Sequence, residues 1–133
     1  LTRAAKSGIE VCIIMPHIPD KWYAFAVAKT YYRELIEAGV NIYEFTPGFV
    51  HAKVFVSDND TATVGTINLD YRSLYHHFEC GTFIYNNPVV WEIERDFQNT
   101  LKACQKITML DVKARRIGMK MVGRVLRLIA PLM

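Results

Sequence analysis

Gly48-Phe49-Val50-His51-Ala52-Lys53-Val54-Phe55-Val56-Ser57-Asp58, followed by Gly65-Thr66-Ile67-Asn68, is the most informative part of the chain. Val50 to Val56 is rich in β-formers, and alternate residues of a strand share a face. His51 and Lys53 are therefore expected to project together, with Ala52, Val54 and Val56 on the opposite side. Ser57-Asp58-Asn59-Asp60 reads as a polar turn and Thr61 to Thr66 as the returning strand of a hairpin. Gly65 allows close backbone approach at the end of that strand, and Thr66 and Asn68 bring a hydroxyl and an amide towards the same spot. Glu79, on the next expected strand, is placed to accept the second ring N–H of a histidine and so set its tautomer, or to pair with Arg72. The whole is an anion site that contains a nucleophile.

On either side of this stretch the chain alternates between strand and helix patterns. Val11 to Met15 reads as a buried strand closed by Pro16. A helix with Asp20 as N-cap follows, carried by Trp22, Phe25, Ala26, Tyr32, Leu35 and Ile36 to Gly39, which suits the residue just past a helix end. Val40 to Phe45 alternates as a strand, Phe78 to Tyr85 as another, and Asn87-Pro88 opens a helix expected to run to about Gln105. The order β-α-β-β-β-β-α predicts an α/β fold, a mixed β-sheet flanked by helices. Residues 1–110 are expected to form a single domain and residues 111–133 an appended helix. Cys80 reads as a small buried apolar residue.

The composition suits this. With 133 residues, 51% hydrophobic and 22% charged, the chain can bury one core, and disorder or collagen-like repetition is excluded. Three scattered cysteines, Cys12, Cys80 and Cys104, make no disulfide framework or CxxC knuckle, which favours a reducing compartment. His76 and His77 lack any spacing that would complete a metal site, and no metal is expected. No apolar run reaches the length needed to span a bilayer. The start Leu1-Thr2-Arg3-Ala4 has neither an initiator Met nor a signal pattern, and reads as the beginning of a fragment.

Charge is unevenly spread. Lys113, Arg115, Arg116, Lys120, Arg124 and Arg127 face only Asp111 in residues 111–133, so this stretch carries the positive excess while the remainder is slightly acidic. A nucleic-acid footprint over the whole surface is not supported, and no nucleic-acid partner is expected. On a helical wheel Lys113, Arg116, Lys120, Arg124 and Arg127 fall on one stripe beside Ile117, Met121, Val125, Leu128 and Leu132. Gly118 and Gly123 weaken this as a free helix, so it needs a surface to order it. An anionic membrane supplies one, as does the core of the protein itself.

His51-x-Lys53-x4-Asp58-x6-Gly65-Thr66-x-Asn68 matches at each defined position the HKD signature of the phospholipase D superfamily. Tyr31-Tyr32-Arg33-Glu34-Leu35-Ile36-Glu37-Ala38-Gly39-Val40, Ile42-Tyr43-Glu44-Phe45 and Asn68-Leu69-Asp70-Tyr71-Arg72-Ser73 resemble the C-terminal half of bacterial cardiolipin synthases. Two positions depart from the usual pattern: His77 precedes Phe78-Glu79 where Asn is common, and Thr66 stands where Ser is common. The resemblance implies a phospholipase D-like fold. It also implies metal- and cofactor-free phosphatidyl transfer between two phosphatidylglycerol molecules, through a phosphohistidine, giving cardiolipin and glycerol. His51, Lys53, Asp58, Asn68 and Glu79 would be catalytic, with Lys53, Thr66 and Asn68 on the phosphate and the role of His51, nucleophile or general acid, left open.

Because the chain carries one HKD motif, it would supply half of an active site. The second half would come from an upstream part of the same polypeptide or from a homodimer mate. The implied location is the cytoplasmic membrane, with the catalytic domain on the cytoplasmic side and Lys113, Arg116, Lys120, Arg124 and Arg127 on the lipid. The alternatives are a phospholipase D or homodimeric nuclease-type phosphodiesterase and, from another class, a non-catalytic domain binding lipid headgroups or a partner.

Overall fold

A computed structural model describes residues 1–115 and 117–132. The elements run α1 (Thr2–Lys6), β1 (Cys12–Pro16), α2 (Trp22–Glu37), β2 (Asn41–Phe45), β3 (Val54–Ser57), β4 (Thr61–Gly65), a π-helical turn (Arg72–His76), β5 (Gly81–Tyr85), α3 (Val89–Lys102), β6 (Cys104–Ile107), α4 (Met109–Ala114), α5 (Ile117–Ile129) and a closing 3₁₀ turn (Ala130–Leu132). The chain is α/β, as expected, but its strands form two three-stranded sheets. They belong to two compact units, one of residues 1–50 and 103–130, the other of residues 51–102 and 131–133.

In the first unit β1 and β2 are parallel, joined through α2, and β6 pairs antiparallel on the other side of β2. Tyr32, Val40, Ile42 and Ile107 form the buried centre, with Ala5, Ile13, Met15, Leu35 and Val112 packed around it. Burial follows the two-residue period of β2: Ile42 and Glu44 are enclosed, and their neighbours are half-buried. Removing Ile42 from water is worth about 1.5–3 kcal/mol. Gly39 ends α2 at φ +96°, with Val40 N–H donating to Leu35 O and Gly39 N–H to Ile36 O, a Schellman closure that an L side chain would strain. The N-cap is Lys21, without a side-chain bond, and not the expected Asp20.

β6 was not expected. The helical pattern after Pro88 has no Gly or Pro to stop it before Gln105, yet α3 ends at Lys102, and Cys104 to Ile107 satisfy their backbone on the open edge of β2. The expected single helix of the C-terminal stretch is also two helices. Arg115 is extended (φ −61°, ψ 143°) and separates α4, which starts with a capping box between Thr108 and Asp111, from α5.

The second unit is the meander β3-β4-β5, all antiparallel, with α3 packed against β3 and β4. Ala62 and Val90 are its buried residues of greatest enclosure. Asn87 caps α3 as expected, its side-chain oxygen accepting from Val89 N–H at 3.0 Å. Phe55, Thr63 and Phe83 lie in cross-strand register on one face of the meander, with Tyr85 two residues beyond Phe83. The three aromatic rings of that row remain exposed.

Candidate active site

His51, Lys53 and Thr66 lie in the second unit, at the end of the meander where β3 begins and β4 finishes. The regular strand starts at Val54, so His51 and Lys53 stand just before it and not within it. The ladder nevertheless continues one step, because Gly65 N–H donates to Lys53 O at 3.1 Å. Lys53 Nζ donates to the His51 carbonyl at 2.8 Å and lies against the imidazole, in contact with Nδ1 and 3.1 Å from Nε2. An ammonium has donors only, so the ring nitrogen it meets is an acceptor. A half-buried cation and an exposed imidazole are thus placed together.

Gly65 is required by contact. A Cβ there would sit 2.6 Å from Gly81 Cα and closer still to Cys80 O, both backbone atoms that cannot swing away. The absence of that Cβ lets β4 close on the Cys80–Gly81 segment, and this closure locates Thr66 and Glu79. Thr66 N–H donates to Cys80 O at 2.9 Å, Cys80 N–H donates to Thr66 Oγ1 at 3.1 Å, and the Thr66 hydroxyl donates to Glu79 Oε2.

A threonine has one hydroxyl hydrogen, and here it is directed at Glu79. In this structure the Thr66 hydroxyl holds Glu79. The Glu79 carboxyl is kept below its ordinary range first by the bond from Thr66 and next by one from Ser73, with the charge of Lys53 adding to the effect. Asn68 is exposed two residues past Thr66.

Asp58 is elsewhere. It occupies the β3–β4 turn at φ +53°, beside Asn59 at +59°, and accepts from Ser57 Oγ at 3.0 Å. Five residue steps along extended chain separate it from Lys53, roughly 16 Å at about 3.3 Å each. Its place in the structure is that of a turn residue, since Asp and Asn tolerate positive φ better than other side chains. Cys80, expected to be buried, is exposed.

Ser73 and His77 are the site residues that spacing did not reveal. Ser73 is buried, its N–H held by Asp70 Oδ1 at 2.8 Å, and its hydroxyl reaches Glu79. Arg72 Nε donates to His77 Nε2 at 2.8 Å, so Arg72 holds His77 rather than the carboxylate. The one available signal was Asp70 three residues ahead of Ser73, the spacing of a helix cap.

A different cluster forms in the first unit. Glu44, 3% exposed, takes His17 Nδ1 at 2.8 Å, the Tyr32 hydroxyl at 3.1 Å and Lys29 Nζ at 3.2 Å, with Arg115 at 4.0 Å. Burial raises its pKa, but the bond from His17 and the charge of Lys29 outweigh that and bring it below the ordinary carboxylate value. Burial also lowers Lys29, against the pull of Glu44. It raises Tyr32 as well, helped by the neighbouring carboxylate.

The expected basic stripe is divided. Lys113 belongs to α4, Lys120 Nζ donates to Lys113 O at 2.9 Å, and Arg127 pairs with Glu34 at 3.4 Å while covering the Tyr31 ring at 3.9 Å. Arg124 is exposed, and Arg116 lies outside the described residues. Among the described residues no group of three or more His, Cys, Asp or Glu is placed to hold a metal ion, and no helix is long and apolar enough to cross a membrane.

The family model described as cardiolipin synthase, PLD-like domain, matches residues 1–101. Cardiolipin synthase from Clostridium perfringens (strain SM101) is 39% identical over 133 residues, covering 100% of this chain and 28% of its own length. Cardiolipin synthase 2 from Bacillus anthracis is 38% identical over 130 residues, covering 98% and 25%. An uncharacterized protein of Streptococcus mutans is 55% identical over 130 residues, covering 98% and 28%. The chain thus spans about a quarter of the length of the curated relatives it matches. Among solved structures, Nuc from Salmonella typhimurium, a phospholipase D family member, superposes with a TM-score of 0.68 at 21% identity, covering 80% of this chain and 70% of that one, a likeness of fold.

Proposed function

Since the chain belongs to the phospholipase D-like domain family of cardiolipin synthases, we propose that it is one half-site of a phosphatidyl transferase that makes cardiolipin and glycerol from two phosphatidylglycerol molecules. The observation that supports this is the Gly65 N–H to Lys53 O bond, which continues the ladder past Val54 and brings Lys53 to the strand end where Thr66 holds Glu79.

In the first step an imidazole nitrogen attacks phosphorus, the bond from phosphorus to the glycerol oxygen breaks, and a second histidine protonates the leaving oxygen. In the second, that histidine takes the proton of a headgroup hydroxyl of a second phosphatidylglycerol, the new P–O bond forms and the P–N bond breaks. His51 is one of the two histidines. Lys53, Thr66 and Asn68 are proposed to hold the phosphate oxygens as charge builds in the five-coordinate transition state. Glu79, fixed by Thr66 and Ser73, is proposed to orient His51.

The second histidine comes from the rest of the polypeptide or from a second copy. The length of the relatives outside the matched region leaves room for the first source. The reaction is proposed to run at the cytoplasmic membrane, on the cytoplasmic side.

The test is product analysis with the full-length protein on phosphatidylglycerol vesicles, beside His51→Ala. Cardiolipin and glycerol that vanish with the substitution are expected. Phosphatidic acid in place of cardiolipin would make water the acceptor and the protein a lipase. Product formation that survives His51→Ala would remove this half-site from the chemistry, and no lipid turnover at all would leave a nuclease-type enzyme or a binding domain.

A further inference from the structure

α5 is docked by its narrow side. Gly123 is buried against α2, where a Cβ would meet Ala26 O and Thr30 Cγ2 at 2.8 Å each, so the two helices approach as closely as they do only because this residue is glycine. Arg127 completes the attachment through Glu34 and Tyr31, and Ala130 is buried at the end. At 3.6 residues per turn, Met121, Val125 and Leu128 lie about 140 to 160° around the axis from Gly123. They face away from the protein, and Leu128 is 82% exposed. Val122 and Ile129 widen the stripe and are also uncovered. A helix that turns its apolar side outward reverses the usual arrangement, and a contiguous apolar patch of this kind marks an interaction surface.

Charge narrows the choice of occupant. α5 carries Lys120, Arg124 and Arg127 and no acidic residue, and nothing acidic follows Asp111 to the end of the chain. Arg124, exposed, falls on the wheel next to Leu128 and Met121, so a cation borders the apolar stripe. Apolar side chains flanked by uncompensated positive charge fit the headgroup and acyl boundary of an anionic bilayer, where each cation near the surface adds to the attraction.

We propose that the outward face of α5 docks on an anionic lipid surface through Met121, Val125 and Leu128, with Gly123 and Arg127 holding the helix to its own unit. The expected stripe of five cations is replaced here by an apolar contact with a basic edge. This deepens the proposed action on membrane phospholipid and rests on that reading for its place at the bilayer.

The experiment places an indole on the stripe. Full-length protein carrying Leu128→Trp is reconstituted with phosphatidylglycerol vesicles, with and without brominated acyl chains, and the emission of the parent protein is subtracted. The added indole is expected to shift to the blue and to lose at least half its emission to the bromines, with much weaker quenching in phosphatidylcholine vesicles of equal bromine content. A blue-shifted indole that bromine does not quench would mean that another part of the full-length chain covers the stripe. A water-like indole unmoved by vesicles would leave the stripe in solvent, and equal quenching in both lipids would remove the anionic preference; each overturns the proposal.

As a second variant, M121D/V125D/L128D, with its fold checked by circular dichroism, should lose about tenfold or more of vesicle-dependent turnover while keeping turnover in mixed micelles. Loss in micelles as well would count against a docking role. If the parent makes no cardiolipin but the indole is quenched, the catalytic reading falls and the docking surface stands. Cardiolipin made without quenching would keep the catalytic reading and remove the docking surface.

Discussion

Glu44 and Glu79 are both held below the ordinary carboxylate range, one in each unit, and they are held by opposite means. Glu44 is enclosed in the first unit, where burial acts against its charge and a histidine, a lysine and a tyrosine more than compensate. Glu79 is partly exposed in the second unit, with little burial to overcome, and its ionised form is favoured mainly by two hydroxyl donors. A buried carboxylate that loses its charge leaves its cations stranded in a dry site. A carboxylate near water that loses its charge changes only what it can orient. A lowered pKa is thus a matter of stability in one unit and, under the proposed function, a matter of chemistry in the other.

The largest expected effect tests the chemical side. His51→Ala should lower turnover by about 10⁴-fold or more while moving the thermal midpoint hardly at all, because an exposed side chain outside the packed strands is removed. A large drop in midpoint would place His51 with Glu44 among the structural residues. Next in size, Glu44→Gln should destabilise by about 3–5 kcal/mol in urea unfolding, since Lys29 and Arg115 would remain half-enclosed without their anion. Glu79→Gln should leave that unfolding curve in place and lower turnover by about 10²-fold. If the two substitutions cost the same stability, the contrast between the units fails.

The pH dependence sharpens the same point. Glu44 has a folded pKa below its ordinary 4.5, so its stabilisation is fully present above that value and is lost as pH falls through the lower folded one. Acid unfolding of the parent should therefore steepen below about pH 4.5, and Glu44→Gln should flatten that limb. In the second unit, Ser73→Ala removes one of the two donors to Glu79. It should raise the acid limb of the pH–rate profile with a few-fold loss in kcat, whereas a merely structural serine would shift stability and leave the profile alone.

The smallest effects concern the seat of α5. Gly123→Ala gains up to about 1 kcal/mol of helix propensity but meets a backbone oxygen of α2 and loses about 1–3 kcal/mol to overpacking. Gly118→Ala meets nothing within 4 Å and should stabilise by up to about 1 kcal/mol. Opposite signs in thermal melts are expected; equal signs would mean that α5 does not rest on Gly123.

Features with a local cause were legible in the sequence. His51 and Lys53 stay together because two residues apart in extended chain is a short reach, Gly39 was marked by the helix it ends, and Asn87-Pro88 by the helix it begins. The break at Arg115, the strand Cys104–Ile107 and the direction in which α5 faces were not, because no residue type at those positions dictates them.

What the sequence determined by itself was therefore the α/β class, the family through the resemblance its motifs carry, and the closeness of His51 and Lys53, which short-range backbone geometry fixes. The tertiary structure decided that the strands form two sheets, that Glu44 gathers cations from distant segments, that Thr66 gives its hydroxyl hydrogen to Glu79, and that α5 shows water its apolar side. Periodicity states that a helix or strand has two faces; which face is covered depends on contacts between residues far apart in the chain, and those exist only once it has folded.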